Sequence, residues 1–250
     1  MPAFNSDGID IAYLDEGEGE PIFLIHGFAS NKNVNWGYTG WVDTLVKAGR
    51  RVIAPDNRGH GESGKVYDPE AYGAPTMAED VRRLMDHLGI ERSDIMGYSM
   101  GSRISAFVAL NHPDRVKRVI FGGLGYGMVT GTGDPEPIAL ALEAPSLDDV
   151  TSTSGRMFRK FAEQTKSDRL ALAACMRASR QRISAEDVGR ITAPVMVVVG
   201  GEDTISGPAQ PLVDLLPNGR VLDLPGRDHM NAVGNKVYKQ SVLEFLKEEA

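Results

Sequence analysis

The apolar positions change rhythm early in the chain. Ile9–Leu14 alternates between apolar and polar residues and runs into the turn-rich, acidic Asp15–Glu20, the pattern of an edge hairpin. Pro21–Ile25 is then a continuous apolar run, and Arg51–Ala54, Val116–Phe121, Pro194–Val199 and Arg220–Leu224 read as further strands. Continuous aliphatic strands such as Val195–Val199 point to a parallel sheet buried on both faces. Helical spacing separates them. It predicts helices over Trp41–Val46, Pro75–Leu88, Pro208–Leu215 and Asn235–Lys247, and another in which Ile104, Phe107, Val108 and Leu110 recur until Pro113. The glycine-rich stretch from Gly122 to about Gly133 breaks the pattern, and helical segments follow from Ile138 to Ala185. The prediction is an α/β core of residues 1–124 and 191–250, interrupted at 125–190 by a small helical cap inserted after the strand ending near Phe121 and lying over the strand ends.

Within that series, Asp94–Gly101 carries a short apolar strand into Gly97-Tyr98-Ser99-Met100-Gly101 and directly into a helix. A serine at such a turn is held in a strained backbone conformation with its hydroxyl pushed out above the sheet. Glycine is expected at 97 and 101 because a Cβ would collide where helix and strand close on each other. The helix N-terminus beneath Ser99 favours a developing oxyanion. The chemistry suggested is nucleophilic catalysis by Ser99.

Composition narrows the picture only slightly. The 250 residues suffice for one large core, and the net charge of −7 argues against a general nucleic-acid binder. Cys175, the single cysteine, lies in an Ala- and Leu-rich helical stretch and is expected to be a buried, inert thiol. The N-terminal region lacks the basic-then-apolar pattern of a secretion signal, and Val195–Val199 is too short to span a bilayer, so a cytoplasmic location away from membranes is expected. No His/Cys cluster suggests a metal, and no Gly-x-x-x-x-Gly-Lys-Ser/Thr loop suggests a nucleotide.

A serine nucleophile needs a base, and the base an orienting acid. Of the five histidines, His87 is expected at a helix surface and His112 at a helix end, while His26 and His60 occupy glycine-rich loops. His229 lies in the loop after the final strand, at the carboxyl edge where Ser99 also emerges. For the acid, Gly200-Gly201-Glu202-Asp203 follows a strong strand and offers Asp203, with Glu202 as its rival; Gly122–Gly125 carries no carboxylate. Asp228, next to His229, is poorly placed to reach its ring nitrogen.

In its order Ser99, Asp203, His229 the chain resembles the α/β-hydrolases. The resemblance runs from about residue 9 to 248 outside the helical insertion. It rests on His26-Gly27-Phe28, Asp56–Ser63, Gly97–Gly101 and the Asp203 and His229 loops together. It implies a mostly parallel central sheet flanked by helices, and an oxyanion hole formed by the backbone N–H groups of Phe28 and Met100. His26 would support the oxyanion loop, and Asp56–Ser63 would be structural. A serine at 99 argues against relatives that use a carboxylate nucleophile for halide displacement or epoxide opening.

The resulting expectation is a cofactor-free carboxylic ester hydrolase with a small-molecule substrate. Carbon–carbon, thioester or lactone hydrolysis by the same machinery is the runner-up, and a small-ligand receptor with slow turnover is the alternative from another class. Perhydrolysis is expected as a side activity. Met230, Tyr126 and Met128 are the candidate substrate contacts, and the polar stretch Ala29–Tyr38 is expected to leave the cleft mouth open. The arginines of the insertion read as a solvated helix face, with Arg177 or Arg180 as the candidate for attracting an anionic substrate. The sequence leaves the oligomeric state open.

Overall fold

A computed structural model of the chain describes residues 2–248, so the outer limits of the expected core, 1 and 249–250, lie outside the described residues. The strands are β1 (Ala3–Ser6), β2 (Ile9–Glu16), β3 (Glu20–Ile25), β4 (Arg50–Pro55), β5 (Ser93–Tyr98), β6 (Val116–Gly122), β7 (Val195–Gly200) and β8 (Gly219–Leu224). They form one sheet in the order β1-β2-β4-β3-β5-β6-β7-β8. β1 and β2 pair antiparallel, as do β2 and β4, and every pairing from β4 through β8 is parallel. Six strands therefore end on one edge, and their following loops carry the chemistry. The hairpin partner of β2 is β1, a four-residue strand too short to show in the pattern, while β3 crosses to the far side of β4.

The central strands carry continuous apolar stretches because alternate residues feed two cores. Phe23, Ile25, Ile95, Val119, Phe121, Val195 and Val197 pack on one face, and Ile22, Leu24, Met96, Ile120, Met196 and Val198 on the other. Helices α1 (Trp41–Lys47), α2 (Ala74–His87) and α3 (Met100–Asn111) follow β3, β4 and β5. α2 and α3 cover the first face through Met77, Val81, Leu84 and Ile104, and α1 contributes Trp41, Val42 and Leu45 to the second.

Five helices lie between β6 and β7: α4 (Gly127–Thr130), α5 (Glu136–Glu143), α6 (Thr153–Gln164), α7 (Arg169–Ala178) and α8 (Ala185–Gly189). Side chains start three of them: Ser152 accepts from Gly155 N–H, Asp168 from Leu170 and Ala171 N–H, and Ser184 from Asp187 N–H. The arginines here do more than line a solvated face. Arg159 is buried and donates to the carbonyls of Ala141 and Ala144 and to Glu163, while Arg169 binds the carbonyls of Leu142 and Ala144. The chain closes with α9 (Gln210–Val213), a single turn where a longer helix was expected, and α10 (Lys236–Phe245), which places Tyr238, Val242 and Phe245 in the second core. Among the described residues no helix is long and apolar enough to cross a membrane.

Candidate active site

Ser99 sits between β5 and α3 at φ 53°, ψ −113°, a left-handed conformation in which a non-glycine residue is strained. Its neighbours explain why the turn can be so sharp. A Cβ on Gly97 would lie 2.2 Å from the Gly101 carbonyl oxygen, and one on Gly101 would lie 1.9 Å from the Ile25 carbonyl oxygen. Glycine at both places lets α3 start against the ends of β3 and β5, and the Ser99 hydroxyl is left facing the cleft.

The loops after β7 and β8 bring Asp203 and His229 to this hydroxyl. His229 Nε2 lies 3.0 Å from Ser99 Oγ, and His229 Nδ1 lies 2.8 Å from Asp203 Oδ2. A carboxylate only accepts, so Nδ1 carries the proton and Nε2 is free to accept from the Ser99 hydroxyl. The Asp203 side chain is fully buried, yet every lone-pair direction is used. Its Oδ1 accepts from the N–H groups of Ile205 (2.8 Å) and Ser206 (2.9 Å), and its Oδ2 accepts from Ser206 Oγ (2.5 Å) as well as from the imidazole. Burial alone would raise its pKa; the hydrogen bonds and the facing imidazole outweigh it and hold the carboxyl down at about 2. Glu202 is exposed, and it is Asp203 that contacts His229. Asp228 keeps to its own loop, accepting from the N–H groups of Met230 and Asn231.

The residue before the serine holds the histidine loop. Tyr98 is buried, and its hydroxyl donates to the His229 carbonyl at 2.8 Å while its ring packs beside the imidazole. Ser206 and Tyr98 were not singled out in the sequence. The Tyr98 hydroxyl acts on a residue 131 positions away, which local pattern cannot show, whereas Ser206, three residues after Asp203, was within reach of a local reading.

The β3 loop approaches Ser99 from the other side. A Cβ on Gly27 would sit 3.4 Å from Ser99 Cβ, so this loop is pressed against the serine turn. Phe28 and Met100 both line the cleft, and no hydrogen bond from either backbone N–H is found among the described residues. His26 braces the loop: its Nδ1–H donates to the Gly27 carbonyl (2.7 Å) and its Nε2 accepts from Asn57 N–H (2.9 Å). Below it, Asp56 binds the backbone of Lys32 and Glu62 and the buried Lys32 ammonium, Arg58 pairs with Asp80, and Ser63 closes back on the Asp56 carbonyl. His60 is buried within this scaffold and does not line the cleft, and burial pushes its pKa down to about 3. The stretch from Ala29 to Tyr38 is not an open polar loop. It contains a π-helical turn, Asn33–Gly37, with Trp36 fully buried and Asn31 and Asn35 accepting from the N–H groups of residues 33, 34 and 27.

The cavity above Ser99 measures about 220 Å³. Phe28, Met100, Leu124, Met157, Phe158, Phe161, Met176 and Met230 make it predominantly apolar. Met230 therefore lies where it was expected. Tyr126 and Met128 do not line the cavity: Met128 is fully buried in the core, and Tyr126 packs half-buried against that core, because the turn of α4 directs both away from the cleft. Arg177 is also remote, paired with Glu136 and Glu143 on the exposed side of α7. Arg180 does line the cavity, and so does Arg103 of α3, which sequence reasoning missed because it falls among the small and apolar residues of a buried helix. Cys175 is fully buried behind Met100, and burial raises its thiol to about 12. Among the described residues no group of three or more His, Cys, Asp or Glu could hold a metal ion.

Comparison with known proteins agrees with the fold. The family model for the alpha/beta hydrolase fold matches residues 20–144, half of the chain, which includes the Phe28 and Ser99 loops. The chain is 26% identical to the non-heme chloroperoxidase CPO-A1 of Kitasatospora aureofaciens, over 96% of this chain and 97% of that protein. It is 38% identical to the 2-hydroxymuconate semialdehyde hydrolase of Pseudomonas putida, over 44% of this chain and 38% of that protein. The crystal structure of the enol-lactonase from Burkholderia xenovorans LB400 shares the fold with a TM-score of 0.80, at 24% identity, covering 99% of this chain and all of that one. The chain belongs to the alpha/beta hydrolase fold family.

Proposed function

We propose that this protein hydrolyses carboxylic esters through an acyl-enzyme formed on Ser99. The observation that carries the proposal is the continuous contact from Asp203 through His229 to Ser99 Oγ, with the imidazole held in the tautomer that accepts the serine proton. Ser99 Oγ attacks the ester carbonyl as His229 Nε2 takes its proton. Asp203, ionised at every working pH, stabilises the imidazolium. The Phe28 and Met100 amides donate to the carbonyl oxygen as it becomes an oxyanion, and donors fixed by the fold need not reorganise. His229 then protonates the leaving alkoxide. Water, deprotonated by His229, attacks the acyl-enzyme and releases the acid, restoring Ser99. No step draws on a cofactor.

The apolar lining suits an acyl chain, and Met230 is the contact we assign to it. A cavity of about 220 Å³ favours compact acyl groups over bulky or oligomeric esters. The helices between β6 and β7 serve in this reading as a cap, since Met157, Phe158, Phe161 and Met176 form one wall. Hydrogen peroxide in place of water would release a peracid from the same intermediate, a side activity in keeping with the chloroperoxidase relative.

Lactone or semialdehyde-type substrates are the second reading, favoured by the names of the Pseudomonas and Burkholderia proteins. Steady-state hydrolysis of p-nitrophenyl esters of increasing acyl length, with Ser99→Ala alongside, tests the first. Sustained turnover that vanishes in Ser99→Ala supports the esterase. A single acylation without turnover would point to a slow receptor, and no acylation by any ester would move the assignment to the second reading.

A further inference from the structure

The charge lining the cleft is opposite in sign to that of the protein. The chain has 34 acidic and 27 basic residues, yet among the described residues no carboxylate lines the cavity, and the permanently charged side chains there are Arg103 and Arg180. Neither arginine has a carboxylate at salt-bridge distance among the described residues, whereas Arg58, Arg159 and Arg177 all do.

Both guanidinium groups are anchored to carbonyl oxygens alone. Arg103, 2% exposed, donates through Nη1 to the carbonyls of Met128 (3.1 Å) and Gln181 (2.5 Å) and through Nη2 to that of Gly127 (3.3 Å). Arg180 donates through Nη1 to the carbonyls of Thr132 (3.0 Å) and Gly133 (3.1 Å). Its Nε and Nη2 have no partner among the described residues. These carbonyls fix the two side chains in place without neutralising them. The two cations come from separate elements, α3 and the segment after α7: burial, then the neighbouring Arg180, lowers Arg103 to about 10, and burial lowers Arg180 against the opposing pull of Asp134. A fold that keeps two desolvated cations in one cleft, with only the Asp134 carboxylate acting on Arg180 from beyond salt-bridge distance, favours an anion from outside.

We infer that the cleft has an anion subsite, formed by Arg103 and Arg180 beside Thr132, which holds a carboxylate of the substrate while Ser99 attacks an ester or lactone carbonyl elsewhere in the same molecule. The inference rests on the hydrolase reading of Ser99 and narrows it to carboxylate-bearing substrates. Position supports it. Arg103 is four residues beyond Ser99 on α3, about 6 Å along the helix axis, and both line the same cavity, so a single compact molecule reaches both. The free edge of Arg180 presents N–H donors in the planar geometry that a carboxylate accepts in pairs. The apolar walls between leave room for a short carbon chain and raise the strength of any ion pair formed at the far end.

Binding to folded Ser99→Ala protein, measured by calorimetry, tests the subsite without requiring turnover. Monomethyl adipate carries one carboxylate, and dimethyl adipate is its neutral counterpart of nearly equal size. The monoester is expected to bind at least about tenfold more tightly, the scale of a charge-assisted pair. Arg180→Gln added to this protein should bring the two within about twofold of each other, whereas Arg177→Gln, on the outer side of α7, should leave the preference intact. Equal binding of the two ligands, no binding of the monoester, or a preference that survives Arg180→Gln in folded protein would overturn the inference. Should Arg180→Gln not fold, the comparison of the two ligands in Ser99→Ala alone decides. Failure of the hydrolase reading would appear separately, as absence of turnover of any p-nitrophenyl ester by the wild type.

Discussion

Replacing Asp203 by Asn separates the two things that this carboxylate does. Its Oδ1 accepts from two backbone N–H groups, and its Oδ2 faces the Ser206 hydroxyl and His229 Nδ1. An asparagine keeps its carbonyl oxygen on the two N–H groups, which cannot accept, so its NH₂ must turn toward His229. That NH₂ donates, so Nδ1 has to become the acceptor and the proton moves to Nε2. The imidazole then donates toward Ser99 Oγ when it should accept, and no group remains to stabilise an imidazolium. The expected loss is about 10⁴-fold in kcat, or about 5 kcal/mol of transition-state stabilisation. Stability should change by only about 1 kcal/mol, because the turn at Ile205 and Ser206 keeps its acceptor. Hydrolysis of a p-nitrophenyl ester, with denaturant unfolding of the same preparations, reads both quantities. Folded Asp203→Asn protein that keeps kcat within tenfold of wild type would refute the tautomer argument. Glu202→Gln is the control, since Glu202 is exposed and should be neutral in both assays.

Two further predictions concern the fold beneath the site. Gly101→Ala should destabilise by about 3 kcal/mol or more, because its Cβ would meet the Ile25 backbone and not a side chain that can move; a melting temperature within a degree of wild type would contradict this. Acid should weaken the fold before any carboxylate titrates. His60 is held neutral down to about pH 3, while in the unfolded chain it takes up a proton below about pH 6.5. Its contribution to stability is thus complete above pH 6.5 and is lost as pH falls from there toward 3, by about 1.4 kcal/mol per pH unit. Unfolding free energies between pH 6.5 and 5 should show at least that slope, because burial lowers the pKa of His26 as well, and a folded His60→Gln variant should make it shallower; an unchanged slope would rule His60 out as a source.

Much of this was legible in the sequence, for physical reasons that differ from one element to the next. Strands buried on both faces have to be apolar throughout, so β3, β6 and β7 announced themselves, whereas β1 is four residues long and takes its place from pairing with β2. The serine turn was readable because steric closure admits only glycine at 97 and 101. Asp203 and His229 followed from parallel topology, which sends each strand's following loop to one edge. The cleft walls were harder. Met128 and Met230 are alike in residue type, but Met128 is carried into the core by α4 while Met230 reaches the cavity on the loop after β8. Arg103 was invisible for a related reason: nothing local distinguishes an arginine that spends its donors on distant carbonyls from one that faces solvent. The asparagines of 31–35 read as solvent-loving and instead satisfy backbone N–H groups of a tightly folded turn.

The most direct test of the account is to catch the intermediate. Wild-type protein mixed with a p-nitrophenyl ester, quenched in acid within milliseconds and digested, should yield a peptide containing Ser99 that is heavier by the mass of the acyl group, and the adduct should disappear as the substrate is consumed. A hydrolytically active protein that shows no acyl group on Ser99, or carries it on another residue, would contradict the central claim.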